Sequence, residues 1–182
     1  MKARGVTFLT RFLLLGALFF QAPVSFGWWF YTPGDTVDNV GYAPKQPIPF
    51  SHKLHAGDRQ IPCQYCHSST RRSAVAGIPP LNVCMGCHKN IAIDKPDIQT
   101  ITDHYKRNDP IKWVKVHDVP DYVRFTHKRH IAADGANLEC QECHGNVQEM
   151  DVVEQVAPLQ MGWCLGCHVE RGGPRNCFAC HY

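Results

Sequence analysis

The chain has 182 residues, of which 44% are hydrophobic and 19% charged, and its formal net charge is +3. The small basic excess forms no Lys/Arg run interleaved with aromatic residues, which argues against a nucleic-acid-binding protein. The length is that of one ordinary domain, but the apolar residues are concentrated at the N-terminus, which leaves few for the core of such a domain.

The first predicted element is a membrane anchor in residues 1–33. A basic start precedes the mostly apolar stretch Phe12–Tyr31, which is long enough to cross a bilayer as a helix, with Pro23 at a kink. A cleaved signal peptide is the alternative, because the strongest apolar core is the short stretch Phe12–Phe20. The aromatic run Trp28–Tyr31 resembles an interfacial belt and no small-x-small cleavage site is visible, so a retained anchor is favoured.

Residues 34–49, rich in Pro, Gly and Asp, predict a tether to a first module in residues 50–90. The module contains the pattern Cys-x-x-Cys-His, in which each thiol adds to a haem vinyl group and the histidine becomes the proximal iron ligand. The chain has five copies, numbered here as motifs 1 to 5, and they contain all ten cysteines: Cys63/Cys66/His67, Cys84/Cys87/His88, Cys140/Cys143/His144, Cys164/Cys167/His168 and Cys177/Cys180/His181. Zinc ribbons and dithiol redox sites also use Cys-x-x-Cys, but neither requires the histidine that follows every pair here. The motifs therefore predict five covalently bound haem c groups.

Each module opens with a His-x-x-His pair in a matching context, Phe50-Ser-His52-Lys-x-His55 and Phe125-Thr-His127-Lys-x-His130. Two histidines at positions i and i+3 of a helical turn project from nearly one face, so each can bind a different iron and hold two haems close together. Solvated surface histidines are the alternative interpretation.

Residues 91–124 form a predicted connector without cysteine, and residues 125–182 a second module. The spacing between motifs 1 and 2 is similar to the spacing between motifs 3 and 4, which indicates a duplicated two-haem unit extended by motif 5. The connector holds His104, in a polar context typical of an exposed histidine, and His117, which has apolar neighbours.

The predicted fold is mostly irregular with small α-helices and almost no strand. It comprises two duplicated haem modules with the haems as core and one N-terminal transmembrane helix. About 150 residues would surround five haems, a ratio at which small scaffolds depend on covalent or metal staples. Haem propionates would bring the charge of the oxidised holoprotein close to neutral, so the net charge says little about partners.

The five histidines of the motifs are the predicted proximal ligands. By order and repeat, His52, His55, His127 and His130 are the predicted distal ligands of the first four haems. For the fifth haem three possibilities stay open: Met161, which lies shortly before motif 4, His117, or an open site. A core packing role is the alternative interpretation of Met161.

The paired Phe-x-His-x-x-His segments with their haem motifs resemble the small multihaem cytochromes of the c3 and c7 type. More specifically, the sequences Ala76-Gly-Ile-Pro-Pro80, Val83-Cys-Met-Gly-Cys-His88, Trp113–His127 and Met161-Gly-Trp-Cys164 resemble the membrane-anchored pentahaem cytochrome c subunit of bacterial alternative complex III. The resemblance covers residues 49–181 together with the position of the anchor.

This resemblance implies a subunit that relays electrons from a quinol-oxidising complex to a monohaem cytochrome c or a terminal oxidase. Its partners would be iron–sulfur and integral membrane subunits. It would be located in the bacterial cytoplasmic membrane, with the haem modules on the periplasmic face. The sequence contains no residues that indicate a site for substrate turnover, so no catalytic site is expected. The alternatives are a stand-alone anchored quinol dehydrogenase and a soluble periplasmic electron carrier.

Overall fold

The computed structural model describes residues 39–181, which belong to one compact unit. The predicted anchor of residues 1–33 and the first part of the predicted tether lie outside the described residues. Within residues 39–181, no helix is both long enough and apolar enough to span a membrane.

Short helices separated by loops make up the described part of the chain. Its seven α-helices are α1 (Cys63–Cys66), α2 (Leu81–His88), α3 (Pro96–Lys106), α4 (His127–Ile131), α5 (Gln141–His144), α6 (Met161–Glu170) and α7 (Cys177–Cys180). A π-helical segment, Lys53–Asp58, precedes α1, and a 3-10 turn, Val147–Glu149, follows α5. The only β-pairing in residues 39–181 is an isolated antiparallel bridge between Val123 and His181. The prediction of a mostly irregular, small-helical fold is therefore confirmed for this part of the chain.

The hydrophobic core is small and lies where the connector folds back on the first module. Ile48, Met85 and Ile101 are buried together, and the partly buried Trp113 packs against them. Helix α3, the longest of the described helices, supplies Ile101. It begins at Pro96, whose fixed φ suits a first helical position, and it carries the cation Lys106 in its last turn, where positive charge stabilises a helix.

Large apolar side chains are more often exposed than buried in the described residues. The buried apolar residues are Ile48, Met85, Ile101, Ala132 and Ala157, whereas Phe178 is 83% exposed and Val75 69%. So small a protein core does not by itself stabilise a chain of this length, as expected if haems complete it.

The two modules hold each other through equivalent backbone contacts. Lys53 N donates to the carbonyl of Met150 (2.9 Å), and Lys128 N donates to the carbonyl of Ser73 (3.1 Å). Lys128 is the counterpart of Lys53 in the repeat, and Ser73 and Met150 stand equally far beyond the first cysteine of motifs 1 and 3. The two hydrogen bonds are therefore the same contact made in opposite directions. The duplicated units are thus related by a pseudo-two-fold axis, and each His-x-x-His turn is anchored on the other unit.

Part of the predicted tether is packed onto the second module. Gly41 N donates to Gln155 O (2.7 Å), and Gln155 N donates to Tyr42 O (3.1 Å). The Gln155 side chain is 1% exposed, and its Nε2 donates to Ala157 O (2.9 Å). Chain within residues 34–49 therefore contributes to the module before the first haem motif begins.

Candidate haem-binding sites

The attachment motifs lie on single helical turns or at helix ends. In α1, Cys63 and Cys66 are the first and last residues, and Pro62 precedes them in extended conformation, so the helix begins at the first attachment cysteine. Helix α2 ends with motif 2, and α6 contains motif 4. An i, i+3 spacing on a helix places both thiols on one face, as bonding to two vinyl groups of one haem requires. None of the ten cysteines forms a disulfide.

The proximal histidines of motifs 1, 2 and 4 are oriented by backbone carbonyls. The Nδ1 atoms lie 2.7 Å from Gly77 O for His67, 3.1 Å from Ile91 O for His88 and 2.6 Å from Pro174 O for His168. A carbonyl accepts only, so Nδ1 carries the proton and Nε2 is left as the lone-pair donor. Metal-bound histidines are typically held in this way.

The His-x-x-His turns present their second histidines in the same manner. His55 Nδ1 lies 2.8 Å from Ser51 O, and His130 Nδ1 lies 2.9 Å from Thr126 O. A phenylalanine stacks on each ring, Phe50 on His55 at 4.4 Å and Phe125 on His130 at 4.7 Å between centroids. His127 Nδ1 bonds across the pseudo-two-fold axis to Ala74 O at 2.8 Å.

Three proximal–distal pairs stand at the separation that one iron requires. Two imidazoles bound to one metal through bonds of about 2 Å have ring centroids about 6 Å apart. The measured centroid distances are 6.2 Å for His55–His88, 6.3 Å for His127–His144 and 6.0 Å for His130–His168. The residues present therefore fit bis-histidine iron at motifs 2, 3 and 4.

His52 lies close enough to His67 of motif 1 for the two rings to interact electrostatically. Burial, followed by the proximity of His67 and then His55, lowers the pKa of His52 to about 4. Burial, followed by His117, His127 and His67, lowers the pKa of His144 to about 4. Both rings are therefore held as neutral imidazole, the form that binds metals. His52 also has a buried Nδ1 without a hydrogen-bond partner in the described residues, which marks the ring as one whose polar atoms are not satisfied by protein alone.

His117 lies beside motif 3. Its ring centroid is 4.4 Å from that of His144 with an interplanar angle of 76°, too close for the two rings to hold one iron between them. Its Nε2 is buried and has no partner among the residues described, and burial lowers its pKa. His104, in contrast, lies in the connector with Nδ1 3.0 Å from Asp109 O.

Motif 5 contacts the end of the predicted connector. The ring of Tyr122 stacks over His181 at 5.9 Å and 29°, and Arg124 N donates to Cys180 O at 2.7 Å. Met161 begins α6 with 67% of its surface exposed. The distal ligand of the fifth haem thus stays a prediction.

The cysteines show which motifs are neighbours. Burial is the main cause that raises the pKa of Cys140, and the nearby thiol of Cys63 adds to it. Burial also raises the pKa of Cys66, with smaller contributions from the nearby thiols Cys84, Cys63 and Cys87. In the haem-loaded protein these sulfur atoms would be thioethers, so they mark the attachment points.

Electrostatic interactions between nearby thiols also relate motifs 3, 4 and 5. Burial raises the pKa of Cys143, with Glu142, Cys167 and Cys164 adding to it in that order. Burial, and then Cys180, raises the pKa of Cys164. Motif 3 therefore neighbours motif 4, and motif 4 neighbours motif 5.

Sequence reasoning misses the residues that support the ligands from a distance. Ala74 and Ser73 act through backbone carbonyls, which carry no side-chain signal. Tyr122 lies in the connector, far before His181 in the chain, so no local pattern links the two residues. The repeated phenylalanines Phe50 and Phe125 are visible in the pattern, and their ring stacking explains why they recur.

The zinc alternative requires four converging ligands. In the described stretch of the chain, no group of three or more His, Cys, Asp or Glu side chains is arranged to hold a metal ion.

No protein-family model matches the chain. The chain is 29% identical, over an alignment 182 positions long, to a protein of Nitratidesulfovibrio vulgaris named "Menaquinone reductase, multiheme cytochrome c subunit". The alignment covers 86% of this chain and 83% of that relative. Together with the five motifs and the paired histidine rings, this similarity supports a multihaem cytochrome c.

Proposed function

We propose that this chain carries five covalently attached haem c groups and relays electrons inside a quinone-linked membrane complex. The observation that carries the proposal is the set of three histidine pairs at 6.0–6.3 Å, each joining a motif histidine to a histidine of a His-x-x-His turn. Bound haem supplies a one-electron iron centre. The chain attaches it through two thiols and orients imidazoles with backbone carbonyls.

The resemblance to the pentahaem subunit of alternative complex III favours electron flow away from a quinol. In this reading, iron–sulfur and integral membrane subunits oxidise the quinol, and the acceptor is a monohaem cytochrome c or a terminal oxidase. Residues 1–33 would hold the chain in the bacterial cytoplasmic membrane, with the modules on the periplasmic face, where c-type haem is attached. N-terminal sequencing of mature protein that begins near Trp28 would refute the anchor.

A second candidate is delivery of electrons to menaquinone. The observation that favours it is the name of the N. vulgaris relative, a menaquinone reductase subunit. The haem-binding residues serve either direction equally, because axial ligands set the potential of each iron but not the potentials of the external partners.

Purification in mild detergent tests the proposal. We expect the chain to co-purify with iron–sulfur and integral membrane subunits; isolation as a single protein would favour a stand-alone dehydrogenase or a soluble carrier instead. Adding a quinol to the oxidised complex and a menaquinone analogue to the reduced complex then distinguishes the two directions. Rapid haem reduction by quinol supports the first, and rapid haem oxidation by the quinone supports the second.

A further inference from the structure

The two modules meet at the first attachment cysteine of each. Cys63 and Cys140 occupy equivalent positions of the duplication, and their thiols lie close enough to interact electrostatically. A contact between equivalent residues lies on the pseudo-two-fold axis. Motifs 1 and 3 are therefore direct neighbours, although motif 2 separates them in the sequence.

Hydrogen bonds on both sides of this contact hold the two modules together. Ser51 Oγ donates to Asp151 Oδ1 at 2.7 Å, next to the bond from Lys53 N to Met150 O. On the other side, His127 N donates to Ala74 O at 3.0 Å. Each distal-histidine turn is thus held by the loop that follows the first haem motif of the opposite module.

Motif 2 lies on the outer side of motif 1. A Cβ atom on Gly86, inside motif 2, would lie 3.8 Å from the hydroxyl oxygen of Tyr65, inside motif 1. Their distal ligands His52 and His55 lie on one turn, with the His55 ring facing His88 at 6.2 Å. Motif 1 therefore stands between motif 2 and the axis.

Motifs 4 and 5 continue the series on the other side of the axis. Arg171, just after motif 4, pairs with Glu142 inside motif 3 at 2.5 Å. The segment from α6 to α7 turns back through the bond from Gly173 N to His168 O (2.8 Å), and the thiols of Cys164 and Cys180 lie close enough to interact electrostatically, so motif 5 lies beside motif 4.

We propose that the five haem-binding motifs form one linear series in space, in the order 2–1–3–4–5, and that electrons cross between the modules from motif 1 to motif 3. This inference rests on the proposed relay function and specifies its path. Each transfer moves one electron between neighbouring sites, oxidising the donor and reducing the acceptor by one electron, and no bond is formed or broken. Motifs 2 and 5 are then the two ends at which external partners exchange electrons with the chain.

The order is tested by marking pairs of sites in the full-length holoprotein. Replacing a distal histidine by methionine raises the potential of that site, since sulfur stabilises the ferrous state. One double variant, His52→Met/His127→Met, marks sites 1 and 3, and its matched control, His55→Met/His127→Met, marks sites 2 and 3. In spectroelectrochemical titrations the spacing of the two midpoints that the substitutions raise, corrected by the single variants, reports the mutual interaction of the marked sites.

We expect the interaction between sites 1 and 3 to exceed that between sites 2 and 3 by about twofold or more, because Coulomb interactions weaken with distance. An interaction between sites 2 and 3 that equals or exceeds that between sites 1 and 3 would overturn the proposed order. If a methionine variant matures with fewer haems than the parent, the same comparison is made with His→Lys variants, which retain a nitrogen ligand. The titration requires neither quinone nor partner subunits, so its outcome is independent of which complex the chain serves.

Discussion

At the scale of single residues, the turns after equivalent haem motifs differ. Gly145 follows His144 with φ 67° and ψ −162°, a conformation that is essentially restricted to glycine. Ser68 occupies the equivalent position after His67 in the first module. The second module therefore leaves motif 3 by a sharper turn, which brings the backbone of Gly145 against the side chain of Val156.

Gly145→Ala is expected to destabilise the holoprotein by about 1–3 kcal/mol, because alanine strains this backbone conformation. In addition, the new Cβ would lie 2.9 Å from Val156 Cγ2. Chemical unfolding followed by haem absorbance measures the effect. Gly162→Ala, in a helix and with no protein atom within 4 Å of the added Cβ, is the control and should leave the midpoint nearly unchanged. Equal midpoints for both variants would contradict the role of the Gly145 turn.

Met161 bears on where electrons collect within the chain. If its exposed thioether binds an iron, the second module holds the site of highest potential and electrons collect there. Met161→His should then keep that haem low-spin, lower its potential and slow transfer to the acceptor, while the haem content stays the same. Met150→Leu, which keeps the backbone carbonyl that Lys53 uses, is the control.

Redox titration and the oxidised absorption spectrum are the measurements. An unchanged distribution of potentials in Met161→His, together with no long-wavelength sulfur-to-iron band in the parent, would show that Met161 is not a ligand. His117 would then be the better candidate for the fifth haem, since its buried Nε2 has no hydrogen-bond partner among the described residues.

At the scale of elements, the two His-x-x-His turns fold differently despite their shared sequence pattern. The first is the π-helical segment Lys53–Asp58, and the second is the α-helix His127–Ile131. The wider π-helical turn brings Gly57 against the backbone carbonyl of Gln148 in the 3-10 turn of the other module. Ala132 occupies the position equivalent to Gly57 and is buried, so each copy packs in its own way.

Gly57→Ala should displace the π-helical segment from the second module, because the added methyl group overlaps the Gln148 carbonyl oxygen. Overpacking of this kind costs about 1–3 kcal/mol. We expect a lower unfolding midpoint and changed low-spin spectra of the haems that His52 and His55 serve. Asp58→Ala, at an exposed position of the same segment, should change neither. If Gly57→Ala unfolds like Asp58→Ala, the two elements are not in close contact.

At the scale of the whole molecule, few apolar side chains are buried in the described residues, and the two modules are joined by reciprocal hydrogen bonds. Neither module is therefore expected to fold alone. Covalent haems would supply the missing apolar interior and would also link neighbouring helices.

Five haem additions are expected in the denatured mass of the mature protein, because ten cysteines fall into five pairs. Alkylation should find no free thiol. Replacing one motif cysteine by alanine should disturb more than one redox centre and reduce the yield of folded holoprotein, since each haem contributes to the shared interior. A mass with fewer additions, from a host competent in haem attachment, would disprove the count.

The sequence by itself predicted the attachment chemistry, because Cys-x-x-Cys-His holds both thiols and a ligand within one helical turn. It also predicted the duplication, through the repeated His-x-x-His pattern, and it determined the small-helical, loop-rich fold, through the scarcity of apolar residues after the N-terminus. These features depend on residues close together in the chain, where spacing translates directly into geometry.

Only the tertiary structure decided which histidine rings face each other at about 6 Å, the separation of two imidazoles on one metal. It also brought Cys63 near Cys140 and placed the carbonyl of Ala74 against His127. The same packing placed the ring of His117 beside that of His144. The physical reason is that most of these contacts join residues far apart in the chain through backbone carbonyls and packing, which leave no local pattern in the sequence.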